Sequence, residues 1–301
     1  MHHWNLMKYD IAFAGHMCFD EIVPYQGDTR IAPGSAVLCG AMAAARVGKR
    51  VAVAAKMSQA DQQILSPMRE AGIRTFIIPA HETSYMQVIH PSADVDERRM
   101  YLKRNAGFIS ADEMPEIDTA HLHLAGISDQ EFTLDFIRSL AGRGLSLSAD
   151  MQSFVRQVHP GTREVLFRDV PAKRQIAALL QKVKLDVVEA RLITGHSDLE
   201  LAAAEIERWG CPEIVITESK GVLARADGKT FYEIFSNRST AGRTGRGDTT
   251  FAGYLAWRME HGPEESLRFA AALVSIKMET PGPFGGTLAD VLARMNEMHS
   301  R

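Results

Sequence analysis

The sequence predicts an α/β fold: a mostly parallel central sheet layered between helices, with a small β lid. Three observations carry this. Short apolar strands and helices alternate over most of the 301 residues. Two alternating segments, 21–33 and 84–104, interrupt that rhythm as hairpins. A glycine-rich turn opens a helix near residue 248.

The elements follow in order. Tyr9–Gly15 is an apolar run ended by glycine, hence a buried strand with a sharp exit. Ile22, Val23 and Tyr25 with the Gly27-Asp28 turn suggest the first hairpin. Ala41–Val47 is a strong helix former stopped by Gly48, and strand 51–54 follows. Helix 60–71 leads to strand 73–78, and the second hairpin turns near Asp94-Val95-Asp96. Strand 120–124, helix 129–142, strand 145–149, strand 184–188, two short helices to Trp209, and strand 213–217 come next. A hairpin turning at Asp227-Gly228 precedes helices 248–260, 264–278 and 287–297. Without linker or repeat, residues 1–301 read as one domain, its two hairpins standing together over one edge.

Composition narrows the function. With 34 basic and 37 acidic residues, net charge −3, and no basic stripe, a nucleic-acid partner is not expected. No apolar stretch approaches the 18 or more residues of a membrane span. The start, Met1-His2-His3-Trp4, has no basic region before an apolar run, and Cys18, Cys39 and Cys211 are too few and scattered for a disulfide framework. The expectation is a cytoplasmic protein. His16, His90, His121 and His123 fit no zinc spacing and are read as packing residues.

The most informative stretch is Gly242-Arg243-Thr244-Gly245-Arg246-Gly247-Asp248-Thr249-Thr250-Phe251. Its glycines allow a tight turn that presents amides at a helix start, where phosphate oxygens are attracted. Asp248 is either a helix-starting carboxylate or a base beside an anion hole built from Gly245, Arg246 and Gly247.

The wider context, Thr244 to Leu255, resembles the C-terminal signature of the PfkB (ribokinase-like) carbohydrate kinases, and Asp150 to Arg156 resembles a motif of a branch of that family that includes inositol kinase-like members. That resemblance implies a ribokinase-like three-layer sandwich, ATP and Mg²⁺ as cofactors, and Asp248 as catalytic base. It assigns Asp20, five residues after Gly15, to gripping substrate hydroxyls. It adds Gly34, Ser35 and Cys39 to the substrate side, with Ser35 replacing a second glycine and Cys39 replacing an Asn. Asp150-Met151-Gln152-Ser153-Phe154-Val155-Arg156 resembles a variant motif in which Gln152 and Arg156 reach substrate or phosphate. Asp186 and Glu189 resemble an Asn-x-x-Glu motif and would hold Mg²⁺ through water. Thr217, Lys220, Gly221 and Ser275 fall on the nucleotide side. Gly242 stands where the family has Asp, and Arg246 where it has a small residue.

The implied activity is ATP-dependent phosphorylation of a sugar or polyol hydroxyl, inositol-like by preference. The alternatives are a nucleoside or pyrimidine-precursor kinase, and a ligand-binding relative with weakened catalysis. The partner is a small molecule, and a homodimer is left open. No Gly-x-x-x-x-Gly-Lys-Ser/Thr or Gly-x-Gly-x-x-Gly stretch supports a P-loop or dinucleotide enzyme.

Overall fold

A computed structural model describes residues 9–92 and 97–299. The expected turn at Asp94-Val95-Asp96 and the Met1–Trp4 segment lie outside those residues. In chain order the strands are β1 (Tyr9–His16), β2 (Cys18–Val23), β3 (Arg30–Gly34), β4 (Val51–Ser58), β5 (Arg74–Ala80), β6 (Ser84–Ile89), β7 (Arg99–Arg104) and β8 (Thr119–Leu124). There follow β9 (Leu147–Asp150), β10 (Arg156–Val158), β11 (Val165–Phe167), β12 (Lys182–Asp186), β13 (Glu213–Thr217), β14 (Gly221–Ala226) and β15 (Lys229–Ile234). The helices are α1 (Ala36–Arg46), α2 (Ser66–Glu70), α3 (Leu134–Gly142), α4 (Gln152–Val155), α5 (Lys173–Ala177), α6 (Val187–Thr194), α7 (Leu199–Arg208), α8 (Arg246–Arg258), α9 (Pro263–Met278) and α10 (Leu288–His299).

Nine strands form the main sheet in the order β15-β14-β13-β12-β9-β8-β1-β4-β5. Pairing is parallel from β13 to β5, and only the β13–β14–β15 edge is antiparallel. Both faces are buried, because neighbouring residues of one strand serve different cores. Ile11 and Phe13 of β1 pack with α1, α8 and α9, whereas Ala12 and Ala14 pack with α3, α6 and α7. Alanine at 12, 14, 52 and 54 lets the second helix layer lie close to the sheet centre.

The two hairpins form a separate four-stranded sheet, β3-β2-β6-β7, joined through the parallel β2–β6 pair. Only Met17 separates β1 from β2, so the main sheet runs almost directly into the small one.

Three elements differ from expectation. The helix placed at 60–71 is a 3-10 turn, Gln59–Leu65, followed by α2, with Pro67 in α2's first turn. The helix placed at 129 begins at Leu134, capped by Thr133, whose Oγ1 accepts from Phe136 N at 3.1 Å. Residues 156–167 form a short antiparallel hairpin, β10–β11, turning at Pro160-Gly161, a turn signal that the sequence reading left unassigned.

Candidate active site

Parallel strands direct their carboxyl ends to one edge of the sheet, and the candidate residues collect there. Gly245 caps α8 in the left-handed region, φ 80°, so Asp248 becomes the third residue of the helix. Helix starts leave amides without intrahelical acceptors. Here Arg246 N donates back to Arg243 O at 3.1 Å, which removes that amide from the expected anion hole. The amides of Gly247 and Asp248 remain at the second and third helical positions.

Asp248 is half-buried. Gln152 Nε2 donates to Asp248 Oδ1 at 3.2 Å and to Gly126 O at 2.8 Å, while Gln152 N donates to Asp150 Oδ1 at 3.0 Å. Gln152, expected on the substrate, therefore holds the carboxylate of residue 248. The side chain itself is almost wholly buried, 4% exposed.

Beneath the glycine turn lies a charge that sequence reading missed. Lys184 Nζ pairs with Asp150 Oδ2 at 2.9 Å, both fully enclosed. The ammonium sits 2.6 Å from where a Cβ on Gly247 would be, so position 247 has no space for a side chain. Burial works against the Lys184 charge, but Asp150, Glu189 and Asp248 more than offset it and keep the amine protonated. Arg246 is brought down to about 10 by burial and by Arg243, and stays cationic at neutral pH. Arg98, just before β7 and exposed, lies within electrostatic reach of Arg156, Asp186, Glu189 and Asp248.

On the opposite side stand Asp20 and the start of α1. A Cβ on Gly34 would lie 1.9 Å from Asp20 Oδ2, so the missing side chain is what admits the carboxylate. Ser35 adopts φ 140°, a backbone suited to glycine, while its Oγ accepts from Leu38 N at 3.1 Å as the α1 cap. Burial, with Asp248 adding repulsion, pushes the Asp20 carboxyl up to about 6. Cys39 Sγ packs 2.6 Å from the Cβ position of Gly245, and burial pushes its thiol up to about 12. It is a packed spacer against the glycine turn, with little nucleophilic character.

Asp186 and Glu189 form a capping box: Asp186 Oδ1 accepts from Glu189 N and Glu189 Oε2 accepts from Asp186 N, both at 2.8 Å. The pair thus first serves the start of α6. The second oxygen, Glu189 Oε1, is buried without a hydrogen-bond donor and lies 3.6 Å from Arg156 Nη2. Burial raises the Glu189 pKa, with Asp186 adding to the effect. An orphaned carboxylate oxygen of this kind fits a water held by Mg²⁺. Arg156 is no surface residue: its guanidinium is largely buried beside Phe167, and its Nε also lacks a partner.

The residues expected on the nucleotide side divide. Thr217 is buried, its Oγ1 4.0 Å from the Cβ position of Gly247 and donating to Leu185 O at 3.4 Å, so it adjoins the glycine turn. Lys220 is exposed, and Gly221 is pinned under Tyr232, whose hydroxyl would lie 2.6 Å from an added Cβ. Ser275 has its hydroxyl committed within the protein. Its hydroxyl is fully buried, donating to Ala271 O at 2.6 Å and accepting from Ser236 N at 2.8 Å.

Glu131 is fully buried and organises the loops at the strand ends. Its Oε1 accepts from Ile127 N at 2.6 Å and its Oε2 from His16 N at 2.7 Å. His16 ties the small sheet to this edge. Its Nε2 donates to Gly107 O at 2.8 Å, which leaves Nδ1 to accept from Ser84 Oγ at 2.9 Å. His121 and His123 meet at Ser148 Oγ, at 2.7 and 3.0 Å, as buried packing groups.

The profile of the pfkB family carbohydrate kinases matches residues 4–287. The chain belongs to the pfkB family of carbohydrate kinases. Its acceptor is accordingly an alcohol group. A sulfate-complexed pyrophosphate-dependent kinase in the ribokinase family is 30% identical, with TM-score 0.87 over 94% of this kinase and 99% of that chain. A second structure, a pyrophosphate-dependent kinase in the ribokinase family complexed with a pyrophosphate analog and myo-inositol, is 28% identical, with TM-score 0.85 over 94% and 99%. The cytidine kinase of Thermococcus kodakarensis is 26% identical over 271 residues, 86% of this kinase and 92% of that protein. Ribokinase of Arabidopsis thaliana, 15% identical at TM-score 0.74 over 96% and 99%, shares the fold. Among the described residues no helix is long and apolar enough to cross a membrane.

Proposed function

We propose that the kinase phosphorylates a ring hydroxyl of an inositol-like polyol, with Asp248 as general base. The carrying observation is the Asp248 carboxylate at the start of a glycine-led helix, oriented by Gln152, facing Asp20 across the site and the Lys184 ammonium beneath. Asp20 accepts hydrogen bonds from substrate hydroxyls and fixes the ring. Asp248 takes the proton as the hydroxyl oxygen attacks in line, and the leaving phosphate departs against positive charge. Gly247 and Asp248 amides, Lys184 and Arg246 stabilise the charge that spreads over the equatorial oxygens in transfer. Mg²⁺, held through water at Asp186 and Glu189, would neutralise further phosphate charge. The small sheet acts as a lid that excludes water, which otherwise competes for the phosphoryl group.

The donor we favour is inorganic pyrophosphate. Two structural relatives near 30% identity are described as pyrophosphate-dependent, one of them with myo-inositol bound. This chain concentrates Lys184, Arg246 and Arg98 around a compact anion site, and Ser275 is committed to the protein interior. ATP is the second reading, favoured by Thr217 beside the glycine turn. Cytidine is the second acceptor, favoured by the Thermococcus relative. A crossed assay decides: myo-inositol, sugars and cytidine, each with pyrophosphate or ATP, followed by ³¹P NMR. Inositol phosphate formed from pyrophosphate is expected. Turnover confined to ATP overturns the donor assignment, and turnover confined to cytidine overturns the acceptor assignment.

A further inference from the structure

The loop that delivers α8 rests on the end of α9, and a single buried ammonium joins them. Lys277 Nζ donates to both Gly242 O and Thr244 O. Lys277 is 1% exposed, in the last turn of α9, where helix carbonyls lack intrahelical donors and the dipole end is negative. The loop is pressed onto that end: Gly242 N donates to Met278 O at 2.8 Å, and a Cβ at 242 would lie 1.8 Å from Thr280 O and 2.7 Å from Lys277 O. The ammonium also lies 3.9 Å from the Cβ position of Gly245, the residue that caps α8. Among the described residues no carboxylate pairs with it at ion-pair distance. Peptide oxygens match its charge instead, with Asp248 acting at longer range.

We propose that Lys277 is a tethered monovalent cation, a positioning residue that fixes the anion-hole loop so that no cation from solution is needed. The reasoning is energetic. Peptide oxygens crowded onto a negative helix end repel one another unless positive charge or donors stand between them. A structural lysine would normally snorkel or pair with a carboxylate, because burying an ammonium otherwise costs several kcal/mol. Lys277 does neither. Its buried side chain leaves the last turn of α9 and places the charge where a free K⁺ or NH₄⁺ would bridge the same oxygens. A covalently attached ion is present at every turnover and leaves the loop insensitive to the salt around it.

The test compares wild type, Lys277→Ala and Lys277→Met in ammonium, potassium or tetramethylammonium chloride at equal ionic strength, reading melting temperature and turnover. Wild type is expected to be indifferent to the cation in both. In Lys277→Ala, which leaves a hole lined by the two oxygens, turnover in tetramethylammonium falls about 10²-fold. Ammonium or potassium then raises its melting temperature by about 2–4 °C and restores turnover by about tenfold. Lys277→Met fills the hole with an apolar chain and gains nothing from either ion. The proposal is overturned if wild type needs potassium or ammonium, or if Lys277→Ala melts at the same temperature in all three salts. Should Lys277→Ala fail to fold, Lys277→Arg, which keeps the charge, must still fold and stay indifferent to the cation. The turnover arm rests on the kinase reading and the melting arm does not, so absence of phosphoryl transfer in wild type would leave the melting result standing.

Discussion

The two sides of the site handle charge in opposite ways. On the proposed donor side, Lys184 is held by the buried carboxylate of Asp150, and Arg246 is partly desolvated beside Arg243 with Asp186 and Glu218 at longer range. On the proposed acceptor side, Asp20 is a carboxylate that forms no ion pair among the described residues, wedged against Gly34 and shifted upward by burial with Arg156 only partly opposing. The contrast follows from what each side must meet. A polyphosphate arrives charged and needs counter-charge that does not reorganise, whereas a hydroxyl arrives neutral and needs an acceptor.

Removing the base tests where the sides join. Asp248→Asn is expected to lower kcat by about 10²- to 10⁴-fold while donor binding measured by calorimetry survives. Next in size is the donor cation: Lys184→Met leaves Asp150 charged and unpaired in the interior. A stability loss of about 3–5 kcal/mol in urea denaturation is expected. Adding Asp150→Asn should recover much of the stability but not the turnover, which separates the structural role of the pair from its catalytic one.

Gly247→Ala is a smaller perturbation on the same side. Its Cβ would meet the Lys184 ammonium and force the lysine or the turn to shift. A fall in kcat of about 10²-fold with little change in acceptor KM is expected from steady-state kinetics. The acceptor side should instead announce itself through pH. With its folded pKa raised to about 6, Asp20 is protonated below that value and loses acceptor capacity, so kcat/KM should decline as pH falls through about 6. Because the fold binds this proton more tightly than the unfolded chain, Asp20 also lowers stability as pH rises from about 4 to about 6. Asp20→Asn should lose both signatures, and an unchanged acid limb would reassign it to another group. Smallest of all is Ser35→Gly, which trades relief at φ 140° against loss of the α1 cap. A net change within about 1 kcal/mol in thermal melts is expected.

Asp248 and its glycines were legible because their chemistry is local: a turn, a helix start and a carboxylate lie within seven residues. Much of the sheet was legible for the same reason, since β1, β4 and β13 are built on short apolar runs. Lys184 was not. In Lys182-Val183-Lys184-Leu185 the alternation reads as a strand with one wet face, and only the β9–β12 register, which sets Lys184 beside Asp150, turns that lysine inward. Lys277 was hidden by resembling an ordinary basic residue in a helix's last turn. Gln152 was placed at the site, but its hydrogen bond to Asp248 was not legible, because only strand order brings α4 against the start of α8. Ser275 failed differently. An alanine-rich helix gives no sign of which face the fold will cover, and Ser236 arrives from 39 residues away.

Asp20 belongs to β2 of the small sheet, whereas Asp248 belongs to α8 of the main body, and the single residue Met17 joins β1 of the main sheet to β2. Cover and grip are therefore one piece of protein. On the proposed function, a polyol held by Asp20 would travel with the small sheet, so uncovering the site and releasing the product would be a single event. Affinity for such an acceptor would then depend on how firmly His16 and Glu131 anchor that piece as well as on the groups that touch the ring.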